Sequence, residues 1–434
     1  DDRVVLDEAH TIPDVATQHF GIAVSNLSVR RALLRAFHPE KNRGLLVRNG
    51  KKEHFNSVVK ALECSDTFFE SVAYRFLSRK SIYRLMDPFW IENTLQLPLK
   101  EVCDALKQVA RNETDEKYAD ELEDAAQRIM ACSNAISDAV ALDDENHVYW
   151  VESYGKSGIN TRLRSAPIEV ASILNGLLFT RQTSCLLTSA TLTDAEGMNR
   201  FKQSCGATGI AEGIEQSPFD LKNQVKVAIA TDCPRPSKDE GKMDLDYLAD
   251  MIVWCAKRIA GGSLVLFTNH KEMRSIADLT RSAFSTAGRP LLLQGLDGKP
   301  NTLIPRFKKL GNAVLFGTDT YWTGVDIPGP ALSQVILVRL PFGNFSDPIE
   351  QARSERCTAL GGNPFRDISL PNAQIKFRQG IGRLIRSATD RGIITILDSR
   401  IVNQPYGNSF ISTLPHKLYH RFSLSNREQS FPSL

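Results

Sequence analysis

The chain has no apolar run of about 18 residues, so nothing in it reads as a membrane-spanning helix. No two of its eight cysteines are spaced C-x-x-C. Cys64, Cys103, Cys132, Cys185, Cys205, Cys233, Cys255 and Cys357 are scattered, which argues against a zinc site or a secreted disulfide framework. Reduced thiols that pack as small hydrophobes in a cytoplasmic setting fit the spacing better. Neither charge sign dominates: 53 Lys and Arg face 50 Asp and Glu, a net +3. Total charge therefore selects no partner, and local patches must carry any such argument. Internal repeats and low-complexity tracts are also missing, and 42% hydrophobic with 24% charged residues is ordinary globular composition. The first residues do not read as a signal peptide, which a truncated amino end would have lost. At 434 residues the chain is long enough for two to four domains.

What is present is a recurrence of short apolar runs rich in Val, Ile and Leu. They are "RVVL" (3–6), "SCLLTSATL" (184–192), "SLVLFT" (263–268), "PLLLQ" (290–294), "AVLFGT" (313–318), "QVILV" (334–338) and "GIITILD" (392–398). Continuous rather than alternating apolar character predicts strands buried on both faces, as in parallel sheets covered by helices. Helical stretches fall between them, at 246–260, 271–284 and 372–388, so the fold class reads as α/β. The segment 26–146 differs, with helical periodicity and few strand-like runs. Arg30, Arg31, Arg35, Lys41, Arg43, Arg48, Lys51, Lys52 and Lys60 lie in its first part, whereas acids crowd its last part. Two solvated helix faces and a functional basic track are both compatible with that pattern. "CPRPSKDEGKMD" (233–244) reads as a linker.

Four stretches carry candidate chemistry. In the first, "RVVL" is followed at once by Asp7-Glu8, which places two carboxylates at the carboxyl end of a buried strand, where ligands bind in open α/β sheets. Such a pair suits magnesium holding and water activation, although it also suits a helix cap before "TIPD". In "LLTSATLTD" (186–194) a strand ends in small hydroxylated residues, Thr188, Ser189 and Thr191, able to bond a neighbouring loop or cap a helix. "FGTDTYWTGVDIPG" (316–329) follows a strand with glycines and Asp326. In "QGIGRLIRS" (379–387), helical spacing would keep Gln379, Arg383 and Arg386 near one face. That face is either solvated or turned to phosphate.

In this order the four stretches resemble the superfamily 2 helicases of the XPD/DinG type, most closely the bacterial DinG-like members. "DEAH" resembles the family's Walker B motif, "TSAT" its motif III, "YWTGVD" its motif V and "QGIGRLIR" its motif VI. The resemblance implies two RecA-like parallel-sheet domains, the first incomplete, with a mostly helical arch-like insertion. The corresponding boundaries are 1–25 with 147–232, 26–146 for the insertion, 233–245 for the linker and 246–434 for the second domain. It also implies an ATP-dependent DNA helicase translocating 5′ to 3′ on single-stranded DNA or DNA junctions, a monomer, with ATP and Mg2+ as cofactors. Asp7 would take the magnesium role, Glu8 would activate water, and His10, Gly324 and Asp326 would lie near the nucleotide cleft. Gln379, Arg383 and Arg386 would complete the ATP site. Ser189 and Thr191 would couple hydrolysis to DNA, while Arg43, Arg48, Lys51 and Lys52 would meet phosphates. Trp322 would either stack on bases or pack behind the motif V turn.

One family element has no counterpart. A P-loop, G-x-x-x-x-G-K-[ST], should precede "DEAH". The lone "GKS" (155–157) lies after it and lacks the first glycine, because Trp150 stands there, so it reads as a turn. The expectation is a carboxyl-terminal portion that is not competent alone. Any iron–sulfur cysteines of the family would fall ahead of residue 1. The rival expectation is a non-catalytic single-strand-binding or regulatory module. A fused nuclease has only analogy behind it, since no D-E-D-type constellation is visible.

Overall fold

The computed structural model describes residues 2–155, 158–179, 183–193, 197–236, 242–323, 327 and 331–434. The chain divides into two compact units, one of Asp1–Ser189, Asn199–Gly209 and Phe345–Leu360, the other of Ala190–Met198, Ile210–Asn344 and Gly361–Leu434. Parallel sheets interleaved with helices make the fold class α/β, as the apolar runs predict.

The first unit contains strands β1 (Asp2–Leu6), β2 (Ala23–Ser25), β3 (Ile82–Leu85), β4 (His147–Tyr154), β5 (Asn160–Pro167) and β6 (Thr183–Leu187). β1 and β6 form a two-stranded parallel sheet in the register Leu6↔Leu187. The other four make an antiparallel sheet, β2-β5-β4-β3, which the sequence patterning does not announce. Along β4, Tyr149 and Val151 join the core of helices Asn26–Ala36, Lys52–Val72, Gln96–Arg111 and Glu116–Ala141. Val148 and Trp150 point to the opposite face and pack with Ala166 and Ala352. Both faces are thus covered, which is why "VYWV" is apolar without alternation.

Ala352 belongs to helix Pro348–Ala359. Asp347 caps this helix by accepting the amides of Ile349 and Glu350 at 2.9 and 3.2 Å, and Pro348 occupies the first turn. Although it follows most of the second unit in sequence, it packs in the first. Arg84 on β3 grips Glu355 with two parallel bonds of 2.6 and 2.7 Å, and Arg353 donates to Ile168 O at 3.1 Å and to Thr17 Oγ1 at 3.0 Å.

The second unit is built on β7 (Val225–Ala230), β8 (Gly262–Leu266), β9 (Leu291–Leu293), β10 (Val314–Gly317), β11 (Leu332–Leu337), β12 (Gly392–Ile396) and β13 (His420–Phe422). They form one sheet in the order β13-β7-β12-β11-β8-β10-β9, and every pairing is parallel. Val225, Val227 and Ile229 feed one core and Ala228 and Ala230 the other, so helices cover the sheet on both sides. No described helix is long and apolar enough to cross a membrane, and all eight cysteines are free thiols.

Candidate active site

In the first unit the β1–β6 pairing carries two strand ends to one edge. Thr188 N–H donates to Leu6 O and Ala9 N–H to Thr188 O, both at 2.9 Å, so the ladder extends past the strands and holds Asp7, Glu8, Thr188 and Ser189 together. Asp7 Oδ1 accepts from the Glu8 amide at 2.9 Å and from Thr188 Oγ1 at 3.0 Å. Those two donors, the amide foremost, hold its carboxyl below the ordinary aspartate value of 3.8, so it stays ionised at neutral pH. Glu8 has left-handed backbone angles, φ 50° and ψ 41°, a conformation that costs a non-glycine residue about 1–3 kcal/mol. Its Oε2 lies 3.4 Å from His10 Nδ1 and 3.5 Å from Ser189 Oγ, and His10 Nδ1 meets Ser189 Oγ at 2.8 Å. Four of the sequence-predicted residues, Asp7, Glu8, His10 and Ser189, are therefore neighbours. The arrangement is an exposed, anchored carboxylate beside a second one that a histidine and a hydroxyl orient.

In the second unit, Gln379 Nε2 donates to Thr191 Oγ1 at 3.3 Å. Gln379 rides on helix Leu370–Ile381, which ends at Gly382. Here the expectation of one long helix fails, and Arg383 and Arg386 lie beyond its end rather than on its face. Two glycines account for the break, since each weakens a helix interior by about 1 kcal/mol. Gly380 is required, because a Cβ there would come within 2.7 Å of the Trp322 ring. Past the helix, Asp390 ties the turn by accepting from the amides of Arg386 and Ser387 at 2.8 and 2.9 Å, and Arg383 Nε donates to Trp322 O at 3.3 Å.

Trp322 is fully buried, and its indole N–H donates to Phe267 O at 2.9 Å. A ring with no exposed face offers no platform for a base, so the packing role replaces the stacking one. Gly324 and Asp326 lie outside the described residues.

Within the helical segment the basic residues separate into two groups. Arg48 pairs with Asp115 at 3.2 Å, lies 3.8 Å from Glu113 and covers the Tyr118 ring at 4.7 Å; hydrogen bonding to Asp115 is the chief reason its pKa rises. Lys51 is 3.9 Å from Glu53, whereas Arg43 and Lys52 are exposed without a carboxylate partner among the described residues. Sequence reasoning overlooked Arg378, which precedes Gln379 and donates to Thr193 O at 2.5 Å; its only sequence signal is a cation one position ahead of the motif.

Parallel sheets, one with acids and hydroxyls at its carboxyl edge, and a glycine-broken helix carrying Gln379 make an α/β fold of the kind seen in solved XPD helicases. The helicase C-terminal domain family matches residues 252–417. The chain is 29% identical over 418 residues to the ATP-dependent DNA helicase YoaA of Escherichia coli strain K12, covering 95% of this chain and 62% of that protein. To the 3′-5′ exonuclease DinG of Bacillus subtilis strain 168 it is 30% identical over 459 residues, 95% of this chain and 48% of that one. A solved XPD helicase superposes with a TM-score of 0.60 at 17% identity, over 97% of this chain and 68% of the other. The chain thus spans about half to three-fifths of the length of these curated relatives. Over nearly its whole length the chain is similar to the XPD/DinG-type helicases.

Proposed function

We propose that the protein carrying this chain is an ATP-dependent DNA helicase that moves 5′ to 3′ along single-stranded DNA, at strand ends or junctions. Its domain plan follows the family in outline, with 26–146 as an arch-like insertion and 233–245 as a linker. The expected division of 1–25 with 147–232 from 246–434 shifts, however: β7 (Val225–Ala230) pairs with β12 and β13 in the second unit's sheet, and Phe345–Leu360 belongs to the first unit. The observation that carries the reading is the cluster of Asp7, Glu8, His10 and Ser189 at one strand edge. An ionised, exposed, hydrogen-bonded carboxylate suits a hard dication, so Asp7 fits the magnesium role. Magnesium bound with ATP would draw charge from the transferring phosphoryl group. Glu8 orients the attacking water and accepts its proton, with His10 and Ser189 fixing the carboxylate. By the family resemblance Arg383 and Arg386 would stabilise the developing phosphoryl charge with Gln379. The same resemblance assigns Gly324 and Asp326, which lie outside the described residues, to nucleotide binding. Ser189 and Thr191 stand two residues apart in sequence, one bonded to the acidic cluster and the other to Gln379, which supports their assignment as couplers. Arg43 and Lys52 suit backbone phosphates better than Arg48 and Lys51, which already have acidic neighbours.

Because the 434 residues hold no P-loop, this polypeptide alone binds ATP weakly and turns it over poorly. The test is Glu8→Gln in the full-length protein. Turnover should fall by about 10³-fold or more while ATP affinity is kept. Unchanged hydrolysis would remove Glu8 from its role, and DNA binding without any hydrolysis by the unmodified protein would favour a single-strand-binding module.

A further inference from the structure

Arg378 and a cavity beside it are unused by the reading above. The cavity, about 340 Å³, lies within the second unit and is lined by Arg378, Gln374, Thr193, Ser412 and Thr413 with two aliphatic neighbours. No acid is among its described lining residues.

Buried and half-buried arginines elsewhere in this unit show how such cations are settled. Arg339 lies 3.0 Å from Glu272, and Arg400 chelates Asp398 through Nε and Nη2. Arg289 has no carboxylate, yet it distributes its guanidinium over Asn312 O, Ala256 O, Ile259 O, Gly261 O and Ser263 Oγ, one acceptor for each of its five N–H groups. Arg378 follows neither pattern. Nη1 donates to Thr193 O at 2.5 Å and to Thr193 Oγ1 at 3.3 Å, and Nη2 reaches Ala190 O only at 3.5 Å. Its Nε–H and an Nη2–H meet no protein acceptor, and no carboxylate balances the charge, among the described residues. Partial burial lowers its pKa, the expected effect on a cation that loses part of its hydration. One helical turn earlier, Gln374 lines the same cavity, and its side-chain amide has no protein partner among the described residues. Ser412 and Thr413 donate their hydroxyls to Ser409 O and Phe410 O, so they shape the wall rather than supply donors.

We propose that this cavity is an oxyanion site that takes a phosphate-type group on the Arg378 guanidinium, with the Gln374 amide as second donor. A guanidinium presents parallel N–H groups that match two oxygens of one phosphate, which a carbonyl cannot do. The phosphate is either free inorganic phosphate or a phosphodiester of a single strand. The site goes beyond the hydrolytic reading and does not depend on it.

The experiment is thermal unfolding of the full chain in potassium phosphate against potassium chloride at matched ionic strength. Phosphate at about ten times its dissociation constant should raise the midpoint by roughly 2–4 °C. Arg378→Gln should remove the rise. Gln374→Glu, which installs a carboxylate one turn from Arg378, should remove it while leaving the protein folded and no less stable in chloride. A wild-type chain without a phosphate-specific shift, or a Gln374→Glu chain that still responds, overturns the proposal. A single-stranded oligonucleotide titrated at several salt concentrations separates the sources. Loss of about 0.7 from the slope of log affinity against log salt in Arg378→Gln assigns the site to a phosphodiester. An unchanged slope, with the thermal response present, assigns it to free phosphate.

Discussion

The two parallel sheets hold their candidate site residues in opposite ways. In the second unit the strands are buried on both faces, and Val265, Ile336 and Ile394 have no exposed surface. In the first unit the acidic pair follows a two-stranded sheet in which the adjacent residues Val5 and Leu186 are 66% and 58% exposed. The same local sequence style, a short run of Val and Leu, is therefore covered within the second unit and uncovered within the first unit as this chain folds it. The difference teaches that the run length of a strand reports its chemistry, whereas its stability comes from what covers it.

The largest expected effect lies in the well-covered sheet. Trp322→Ala removes a fully buried ring that packs against Gly380 and should destabilise the second unit by about 3–5 kcal/mol in denaturant unfolding. A loss under about 1 kcal/mol would mean that the glycine-broken helix does not depend on it. A matched pair then sharpens the contrast. Val265→Thr buries a hydroxyl and should cost about 1–3 kcal/mol, while Val5→Thr should stay within about 0.5 kcal/mol. Equal costs, or equal amide-exchange protection in β1 and β8, would break the comparison. The smallest effect concerns Asp7. Its folded pKa is depressed, so the favourable interaction is present above the ordinary value of 3.8 and lost as pH falls through the folded value. Thr188→Val removes one of the two donors, so the carboxyl should titrate at higher pH, measured by carbon chemical shift. An unmoved titration would leave the Glu8 amide as the sole cause.

Much of this was legible in the residues. Unbroken apolar runs identified β8, β10, β11 and β12, because a strand covered on both faces has no polar side to show. They also marked β1 and β6, where the expected two-sided burial fails, since Val5 and Leu186 are exposed. The residues gave Asp7 and Ser189 separately, each at a strand end; that β1 and β6 pair and bring them together is seen only in the structure. The antiparallel sheet was hidden, since its strands are brief or carry charged residues such as Arg84, Arg162 and Arg164. The helix stop at Gly382 was missed for a different reason. Apolar spacing continues through Leu384 and Ile385, which remain buried in a turn, so periodicity outlasted the helix. Burial of Trp322 was likewise decided by tertiary packing against Gly380.

Helix Pro348–Ala359 has a practical consequence for anyone dissecting the molecule. Its residues lie inside the stretch matched by the helicase C-terminal domain family, yet Arg84, Thr17 and Ile168 of the first unit bind it. Expressing the amino-terminal half without it would strip the cover from Val148 and Trp150 and leave Arg84 without its acid. The two halves are thus interwoven by the polypeptide itself, and supplying Pro348–Ala359 in trans should be needed to rescue a severed first half.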